Sequence, residues 1–429
     1  MIRNGKKKAI SCALVAAMSV GLAACGTTSY DFKVSYDGIK TGDVSSKVSV
    51  HDPSILKADG EYYIFGSHMS AAKSSDLLNW EKVADGYSKK NPVYGQIYDV
   101  ADKAFAYSGS KNSLIKTDDK QVHVWAPDVI YNETTGLYYM YYCTTSTWNA
   151  SNLCYGTSTT PEGPYEWQGA LIYSGFNRKT ISGTDVLDYV DEDYAYKNYI
   201  KGAQYNYEDY PNAIDPTVFY DADGRMWMVY GSWSGGIFLL EIDKTTGLVI
   251  HPEADKANNV DPYYGKRLLG GGHISIEGPY IMYDETSGYY YLFVSYGALT
   301  SNGGYQVRVF RSKTVDGEYV DMNGKYPEKS AQHQNFGLKL TGNYKLPSLE
   351  KAYMATGHNS AFVDDDGRMY LVYHTRFNDN GEGHSPRVHQ MLVNEDGWPC
   401  ELPYQTQGET VNKDGYDIDD IIGRYYVIN

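Results

Sequence analysis

Five segments of the chain repeat one pattern of polar and apolar positions. Each opens on a polar or acidic residue, runs through a short apolar stretch to a polar turn ending in Gly, and closes with a second stretch rich in Tyr and β-branched residues. Strand-forming runs on both sides of such a turn are typical of β-hairpins, because glycine supplies the positive φ that tight turns need. The predicted turn glycines are Gly60, Gly136, Gly224, Gly288 and Gly367.

Repetition of this unit predicts an all-β protein, folded as a five-bladed β-propeller. The intervals between the turn glycines are each long enough for about four short strands, and helical periodicity is almost absent after the N-terminal segment. Sheets arranged around an axis leave only short, protected edges. A β-sandwich is the alternative, but it gives no reason for five matched unit starts.

The N-terminus has the pattern of an export signal. A basic start precedes an apolar run too short for a comfortable membrane span, and small residues stand directly before Cys25. This ending resembles a bacterial lipobox, in which Cys25 is lipidated; an ordinary signal peptide is the alternative. We predict an extracytoplasmic lipoprotein, held at the cell surface only through Cys25. The predicted division is a signal at 1–25, a tether at 26–46, the propeller at 47–405, and a C-terminal segment at 406–429 that opens a truncated or reduced β-domain.

Composition narrows the range of partners. The formal net charge of −15 argues against nucleic acid and suits a neutral ligand. The chain has 44 Tyr residues, whose flat faces suit sugar rings, although we expect most of them to serve as strand formers. Cys143 and Cys154 lie on either side of a predicted hairpin and could pair, and no Cys cluster has metal-binding spacing.

The starts of the repeated units carry an unusual number of carboxylates. The first strand of each propeller blade lines the central channel, so we expect the five starts to meet at one mouth. Like charges held close together raise one another's pKa, which makes a purely structural role a poor explanation. Pro53 and Pro216 should hold the preceding Asp residues in an extended conformation. The residues at these starts are Asp52, Asp128, Asp215, Glu277 and the pair His358-Asn359.

Carboxylates in distinct environments are what glycoside hydrolysis requires. One stays ionised as a base and one stays protonated as an acid. An inverting enzyme holds them roughly 6.5–9.5 Å apart, which leaves room for a water molecule. A third carboxylate can raise the pKa of the acid. Residue types alone do not assign these roles among the candidates.

From about residue 47 to about residue 405 the chain resembles glycoside hydrolase family 43, and within it the endo-arabinanases of the longer, two-domain type. The motifs that carry the resemblance are VHDPSI (50–55), SSDLLNW (74–80), VWAPDV (124–129), NAIDPTVF (212–219), GSWSGGIFLLEID (231–243), HISIEGPYI (273–281), GLKLTGNYKLP (337–347), GHNSAF (357–362), YHTRF (373–377) and RVHQMLVNEDGWP (387–399). The resemblance implies inverting cleavage of α-1,5-linked L-arabinan from plant cell walls. It implies Asp52 as general base, Glu277 as general acid, and Asp215 as the carboxylate that tunes and orients that acid.

The resemblance also implies a metal ion and a substrate cleft. His374 matches a histidine beside a metal, commonly calcium, on the propeller axis. Trp125 is a candidate stacking platform, and Asp128 lies outside the catalytic trio, as either a structural residue or a cleft contact. The stretch 180–211 is interpreted as an insertion at the cleft rim, and we expect a monomer. The residues that match cleft-lining positions are Asn212, Ser232, Trp233, Ser234 and His273.

Two other functions remain open at this stage. An exo-acting α-L-arabinofuranosidase or β-xylosidase would use the same scaffold and the same carboxylates, and fold alone does not separate these activities. A non-catalytic, carbohydrate-binding propeller belongs to a different class. The complete carboxylate set argues against it, because a lectin needs no acid and base pair.

Overall fold

The computed structural model describes residues 46–107, 123–145, 150–327, 336–377, 383–410, 415–423 and 425. The predicted signal at 1–25, the lipid anchor on Cys25 and all but the last residue of the tether lie outside the described residues. The chain divides into two compact units, one formed by 39–411 with 428–429 and the other by 1–38 with 412–427. Of the second unit the structure describes one short helix, Ile418–Ile421. No helix in the described ranges has the length and apolar character needed to cross a membrane.

Five antiparallel sheets form the larger unit, and this confirms the predicted five-bladed propeller. In four of the blades the strands follow one another in chain order. Blade 1 contains β1 (Ser54–Ala58), β2 (Glu61–Gly66), β3 (Ser70–Ser74) and β4 (Glu81–Ala84). Blade 2 contains β5 (His123–Asn132), β6 (Leu137–Thr145), β7 (Ser151–Ser158) and β8 (Glu166–Tyr173). All five predicted turn glycines have positive φ, between 64° and 81°.

Blade 3 is the elaborated blade. A separate hairpin of β9 (Ile200–Lys201) and β10 (Gln204–Tyr205) precedes it. Its strands pair in the order β11-β12-β13-β16-β15, and β14 also pairs with β13. They are β11 (Thr217–Tyr220), β12 (Met226–Tyr230), β13 (Ile237–Ile242), β14 (Val249–Ile250), β15 (Val260–Asp261) and β16 (Gly265–Leu269).

Blades 4 and 5 return to the simple order. Blade 4 contains β17 (Ile276–Asp284), β18 (Tyr289–Tyr296), β19 (Gln306–Ser312) and β20 (Leu338–Lys339). Blade 5 contains β21 (Met354–Val363), β22 (Met369–Arg376), β23 (Ser385–Val393) and β24 (Pro399–Glu401). The short helices within the larger unit lie in the connections: α1 (Gly95–Asp99), α2 (Ala101–Ala104), α3 (Val186–Tyr189) and α4 (Glu192–Asn198), with 3-10 turns at Ser67–Met69, Ile181–Gly183 and Lys256–Asn258.

The hydrophobic core is divided among the junctions between neighbouring blades. Successive residues of a strand face opposite sides of its sheet, so each middle strand supplies two junctions. In β6, Tyr142 packs in the cluster shared with blade 1, whereas Tyr141 packs in the cluster shared with blade 3. Blades 1 and 5 also pack together, because Ile64 of blade 1 and Val372 of blade 5 belong to one buried cluster.

The same alternation separates the two cysteines that could pair. In the β6–β7 ladder, Cys143 is opposite Leu153 and Cys154 is opposite Tyr142. Cys143 therefore packs toward blade 3 and Cys154 toward blade 1. Both are free and buried. Their side chains point to opposite faces of the sheet, which excludes a disulfide without rebuilding the strands.

The acidic, Tyr-rich stretch 180–211 contains α3 and α4, although helical periodicity appeared almost absent from the sequence. Asp191 caps α4 by accepting a hydrogen bond from the Tyr194 amide at 2.7 Å. Tyr199 anchors the segment to blade 3 by donating its hydroxyl to Asp261 at 2.8 Å. These local caps and anchors stabilise helices too short to show a periodic apolar face.

Candidate active site

A residue with left-handed backbone conformation lies within or just before each inner strand of the propeller. The φ values are 55° at Asp52, 40° at Ala126, 54° at Asp215, 57° at Gly278 and 47° at His358. Such a conformation costs about 1–2 kcal/mol for a residue other than glycine, so tertiary contacts must hold it. The expectation that proline would keep Asp52 and Asp215 extended is therefore wrong.

These left-handed residues, each of which kinks its inner strand, show which positions of the five blades are equivalent. Asp52 and Asp215 are equivalent to each other, and their counterpart in blade 2 is Ala126. In blade 4 the equivalent residue is Gly278, and Glu277 comes one position before it. In blade 2 Asp128 comes two positions after Ala126. The prediction that Asp128 stands at a unit start, equivalent to Asp52 and Asp215, is thus wrong, because Ala126 occupies that position in blade 2.

Asp52 is a buried carboxylate with polar neighbours at both of its oxygens. It is 8% exposed. Its Oδ2 accepts a hydrogen bond from Ser67 Oγ at 2.5 Å, and its Oδ1 lies 3.1 Å from both His51 Nε2 and His358 Nδ1. Burial alone would raise the pKa of Asp52, but the neighbouring His358 and His51 and the Ser67 hydrogen bond lower that pKa to about 2. A group of this kind can accept a proton.

Glu277 has the opposite character. Burial raises the pKa of Glu277 above its ordinary value, although His358 and its hydrogen-bond donors act against that shift. Tyr305 donates its hydroxyl to Oε1 at 2.8 Å, and Oε2 accepts from Ser232 Oγ at 3.0 Å and from Trp233 Nε1 at 2.9 Å. These three donors orient a carboxyl group that can hold a proton for delivery.

Asp215 and His358 connect the acid to the base. Burial raises the pKa of Asp215, and the charges of Glu277 and Asp52 raise it further. Its Oδ2 accepts from the Gly278 amide at 3.2 Å, which ties the inner strand of blade 3 to that of blade 4. His358 lies against the same glycine, where a Cβ would be 3.1 Å from the ring. Burial lowers the pKa of His358, but the three surrounding carboxylates raise it overall.

The predicted cleft residues divide into two groups. Ser232 and Trp233 contact the acid directly. Ser234 Oγ lies 3.2 Å from Nδ1 of His273, and the rings of His273 and Trp233 are 5.7 Å apart, so these residues form one wall beside Glu277.

Asn212 and Trp125 occupy less direct positions. Asn212 is buried and accepts a hydrogen bond from Ser174 Oγ at 3.2 Å, which is a structural contact. Trp125 is partly buried, adjoins the kinked Ala126, and has its ring 5.2 Å from that of His123. Trp125 therefore lies partly exposed next to the blade 2 start.

Two residues of the site, Ser67 and Tyr305, escaped prediction because they come from unmatched parts of the repeat. Ser67 follows β2, and Tyr305 precedes β19. His358 was noticed only as the start of the fifth unit. The alignment of the blades could have pointed to His358, because the equivalent positions of blades 1 and 3 carry Asp52 and Asp215.

A histidine cluster adjoins the base. Donor atoms of His51, His374 and His384 all lie within 4.8 Å of one another. His374 is fully buried, and its Nε2 has no hydrogen-bond partner among the residues that the structure describes. Imidazole nitrogens suit transition metals, whereas calcium prefers oxygen. A cation fits beside the unpartnered nitrogen, but calcium there would need water for most of its ligands.

One buried carboxylate whose pKa is lowered and a second whose pKa is raised, at the inner strands of one propeller, are typical of enzymes that work by acid and base catalysis. Comparison with known proteins then identifies its family. The model of "Glycosyl hydrolases family 43" matches residues 44–210 and 191–399. The chain belongs to this family, and the resemblance seen in its motifs is confirmed.

The chain is similar to an "Extracellular endo-alpha-(1->5)-L-arabinanase" of Thermotoga petrophila, with 39% identity over 89% of this chain and 75% of that one. It is 37% identical to "Extracellular endo-alpha-(1->5)-L-arabinanase 2" of Bacillus subtilis, over 90% of this chain and 76% of the other. The crystal structure of the Thermotoga petrophila endo-1,5-α-L-arabinanase in complex with TRIS matches with a TM-score of 0.74 and 38% identity, over 90% of this chain and 79% of that one.

Proposed function

We propose that this hydrolase is an endo-acting 1,5-α-L-arabinanase that inverts the configuration of the carbon it attacks. The observation that carries the mechanism is the contrast between Asp52, whose pKa is lowered, and Glu277, whose pKa is raised, with His358 among the carboxylates. The names of the Thermotoga and Bacillus relatives support α-1,5-linked arabinan of plant cell walls as the substrate.

In this proposal the residues act in one concerted step. Asp52 takes a proton from a water molecule, whose oxygen attacks the anomeric carbon of an arabinofuranose unit. Glu277 gives its proton to the departing oxygen on the opposite face as the glycosidic bond breaks. Asp215 is the carboxylate that tunes and orients the acid in this proposal, since it accepts a hydrogen bond from the Gly278 amide directly after Glu277 and so holds the strand that carries the acid. Burial and the charge of Asp52 raise the pKa of Glu277.

The surrounding residues would bind the sugar chain. Ser234 and His273 would contact the unit beside the acid, and Trp125 would offer an aromatic face. Asn212 would shape the cleft through Ser174. The protein is extracytoplasmic, in keeping with relatives named extracellular; we propose in addition that it is a monomer, anchored at the cell surface through lipid on Cys25.

The time course of products from linear arabinan tests the endo assignment. An endo-acting enzyme releases mixed oligosaccharides first and lowers viscosity before many reducing ends appear. Early release of a single mono- or disaccharide would instead support the exo-acting alternative. Binding of arabinan without any new reducing ends would support a carbohydrate-binding propeller.

We also propose calcium as the ion beside His374, held through this imidazole and through water. The ion would add positive charge near Asp52. Elemental analysis of the purified protein should find about one calcium per chain, and His374→Ala should lose it. His251→Ala is the matched control, because His251 lies in blade 3 stacked on Tyr263, with ring centroids 5.1 Å apart. Zinc or nickel in place of calcium, or full calcium retention by His374→Ala, would contradict the proposal.

A further inference from the structure

Asp128 lies in a second layer of the propeller axis, beneath the catalytic carboxylates. It follows the kinked Ala126 by two residues. Residues at the same position of the other blades are polar or aromatic, and two of them, Ser54 and Ser360, make side-chain hydrogen bonds to a neighbouring inner strand. The residues at this position are Ser54 in blade 1, Thr217 in blade 3, Tyr280 in blade 4 and Ser360 in blade 5.

The two oxygens of Asp128 hold two different blades. Oδ1 accepts a short hydrogen bond from Ser54 Oγ in β1. Oδ2 accepts from the Val218 amide in β11 at 2.7 Å. Ser54 is two residues after Asp52, and Val218 is three residues after Asp215. Asp128 therefore bridges the strands that carry the base and the carboxylate tuning the acid.

The axis of the propeller at the level of Asp128 is not filled by packed side chains. Asp128 lines a cavity of about 850 Å³ bounded by inner strands of all five blades, including Val129, Val218 and Ile281. With open space on the axis, the inner strands are held only at the junctions between blades, where side chains such as Val129 and Val218 pack. Packing of this kind has no fixed direction, whereas the hydrogen bonds of Asp128 join defined atoms of two junctions.

Burying a carboxylate at this position is energetically unfavourable. Asp128 is 3% exposed, and burial raises its pKa to about 7 despite the bonds from Ser54 and Val218. A polar group buried at such cost usually serves a purpose beyond stability. Since Asp128 lies in the layer below the catalytic carboxylates, that purpose must act through the residues it holds.

We propose that Asp128 is a positioning residue, which fixes the placement of Asp52 relative to Asp215 by clamping β1 to β11 through Ser54 and the Val218 amide. The proposal rests on the proposed hydrolysis of arabinan by these carboxylates. The sequence left Asp128 as either a structural residue or a cleft contact. In this proposal Asp128 contacts no sugar and affects the rate of hydrolysis by setting the distance between the catalytic carboxylates.

The test measures kcat and KM on linear arabinan, together with the thermal unfolding midpoint, for the wild type and three variants. In Asp128→Ala both bonds are lost, and kcat should fall about 10- to 100-fold, the scale expected when reacting groups shift by about 1 Å. KM should stay within about threefold. Asp128→Asn should keep kcat within about threefold of the wild type, because its amide can accept from Val218 and donate to Ser54.

The third variant, Asp321→Ala, is the matched control. Asp321 is a buried carboxylate in a loop of blade 4, where it accepts backbone hydrogen bonds from Asn323 at 2.8 Å and from Lys325 at 3.1 Å. It should lower the unfolding midpoint and leave kcat unchanged at temperatures where the protein is folded. If Asp128→Ala does not fold, Ser54→Ala decides, with an expected several-fold loss of kcat.

The outcomes separate the two proposals. Wild-type kcat in folded Asp128→Ala, or an equal loss in Asp321→Ala, would overturn the positioning role while arabinan cleavage by the wild type stands. A loss in Asp128→Asn as large as in Asp128→Ala would overturn it as well. Absence of arabinan cleavage by the wild type would overturn the proposed function and the inference together.

Discussion

Replacing Glu277 by Gln is expected to lower kcat on linear arabinan by about 10²–10⁴-fold, the usual contribution of a general acid. Affinity for arabino-oligosaccharides, measured by calorimetry, should change little. Glutamine preserves the shape of the side chain, and its oxygen can still accept from Trp233 and Ser232 while its amide donates to Tyr305. The variant lacks only the proton that the departing oxygen must receive.

Glu401→Gln is the matched control for this variant. Glu401 has a buried carboxylate in blade 5, 2.9 Å from His389 Nδ1, away from the proposed chemistry. It should retain the wild-type kcat. In the wild type the acid is active while protonated, so kcat/KM should fall as the pH rises through the raised pKa of Glu277. Near-normal turnover by Glu277→Gln would remove Glu277 from the mechanism.

Replacing Asp52 by Asn is expected to lower kcat by a similar factor, about 10²–10⁴-fold, because the amide cannot take a proton from water. The bond from Ser67 Oγ can be kept by the amide oxygen, so folding and sugar binding should persist. Turnover on linear arabinan and calorimetric binding of arabino-oligosaccharides measure both effects.

Azide distinguishes loss of the base from loss of the acid. Azide needs no deprotonation, so its terminal nitrogen can bond to the anomeric carbon in Asp52→Asn while the departing oxygen takes the proton of Glu277. The product is a glycosyl azide of inverted configuration. Azide should therefore restore cleavage by Asp52→Asn and should not restore cleavage by Glu277→Gln. Normal hydrolysis by Asp52→Asn without azide would contradict the assignment of the base.

Local sequence features were enough to predict the architecture. Each hairpin depends on a turn glycine with positive φ and on strand-forming neighbours, and both are properties of a few adjacent residues. Gly60 and Gly367 lie in the first and last blades, and both occupy such turns. Five repeats of one local signal were sufficient to predict five blades.

The residue alignment within the repeat was not predictable in the same way. A residue before proline prefers an extended conformation, yet Asp52 and Asp215 are left-handed. Contacts distant in sequence hold them so, such as the bond of 3.3 Å from the Asp52 amide to His374 Nδ1. Asp128 was consequently counted among the unit starts, although it lies two residues past the left-handed Ala126.

The hydrogen-bond partners of the catalytic carboxylates also could not be predicted from the neighbouring sequence. Tyr305 and Ser67 reach Glu277 and Asp52 from strand ends whose sequences carry no repeated signal. The register of β6 against β7 determines which cysteine faces which side of the sheet. The separation of Cys143 from Cys154 therefore becomes visible only in the paired strands. These features depend on which blades meet, a property of the whole ring.

The central claim is that Asp52 and Glu277 act from opposite faces of one arabinofuranose unit, with a water molecule beside the base. Proton NMR of the first products from linear α-1,5-arabinan tests this claim most directly, if spectra are taken before the reducing ends equilibrate. The account predicts that newly formed reducing ends appear first in the β configuration. Initial appearance of the α configuration would show retention and contradict it.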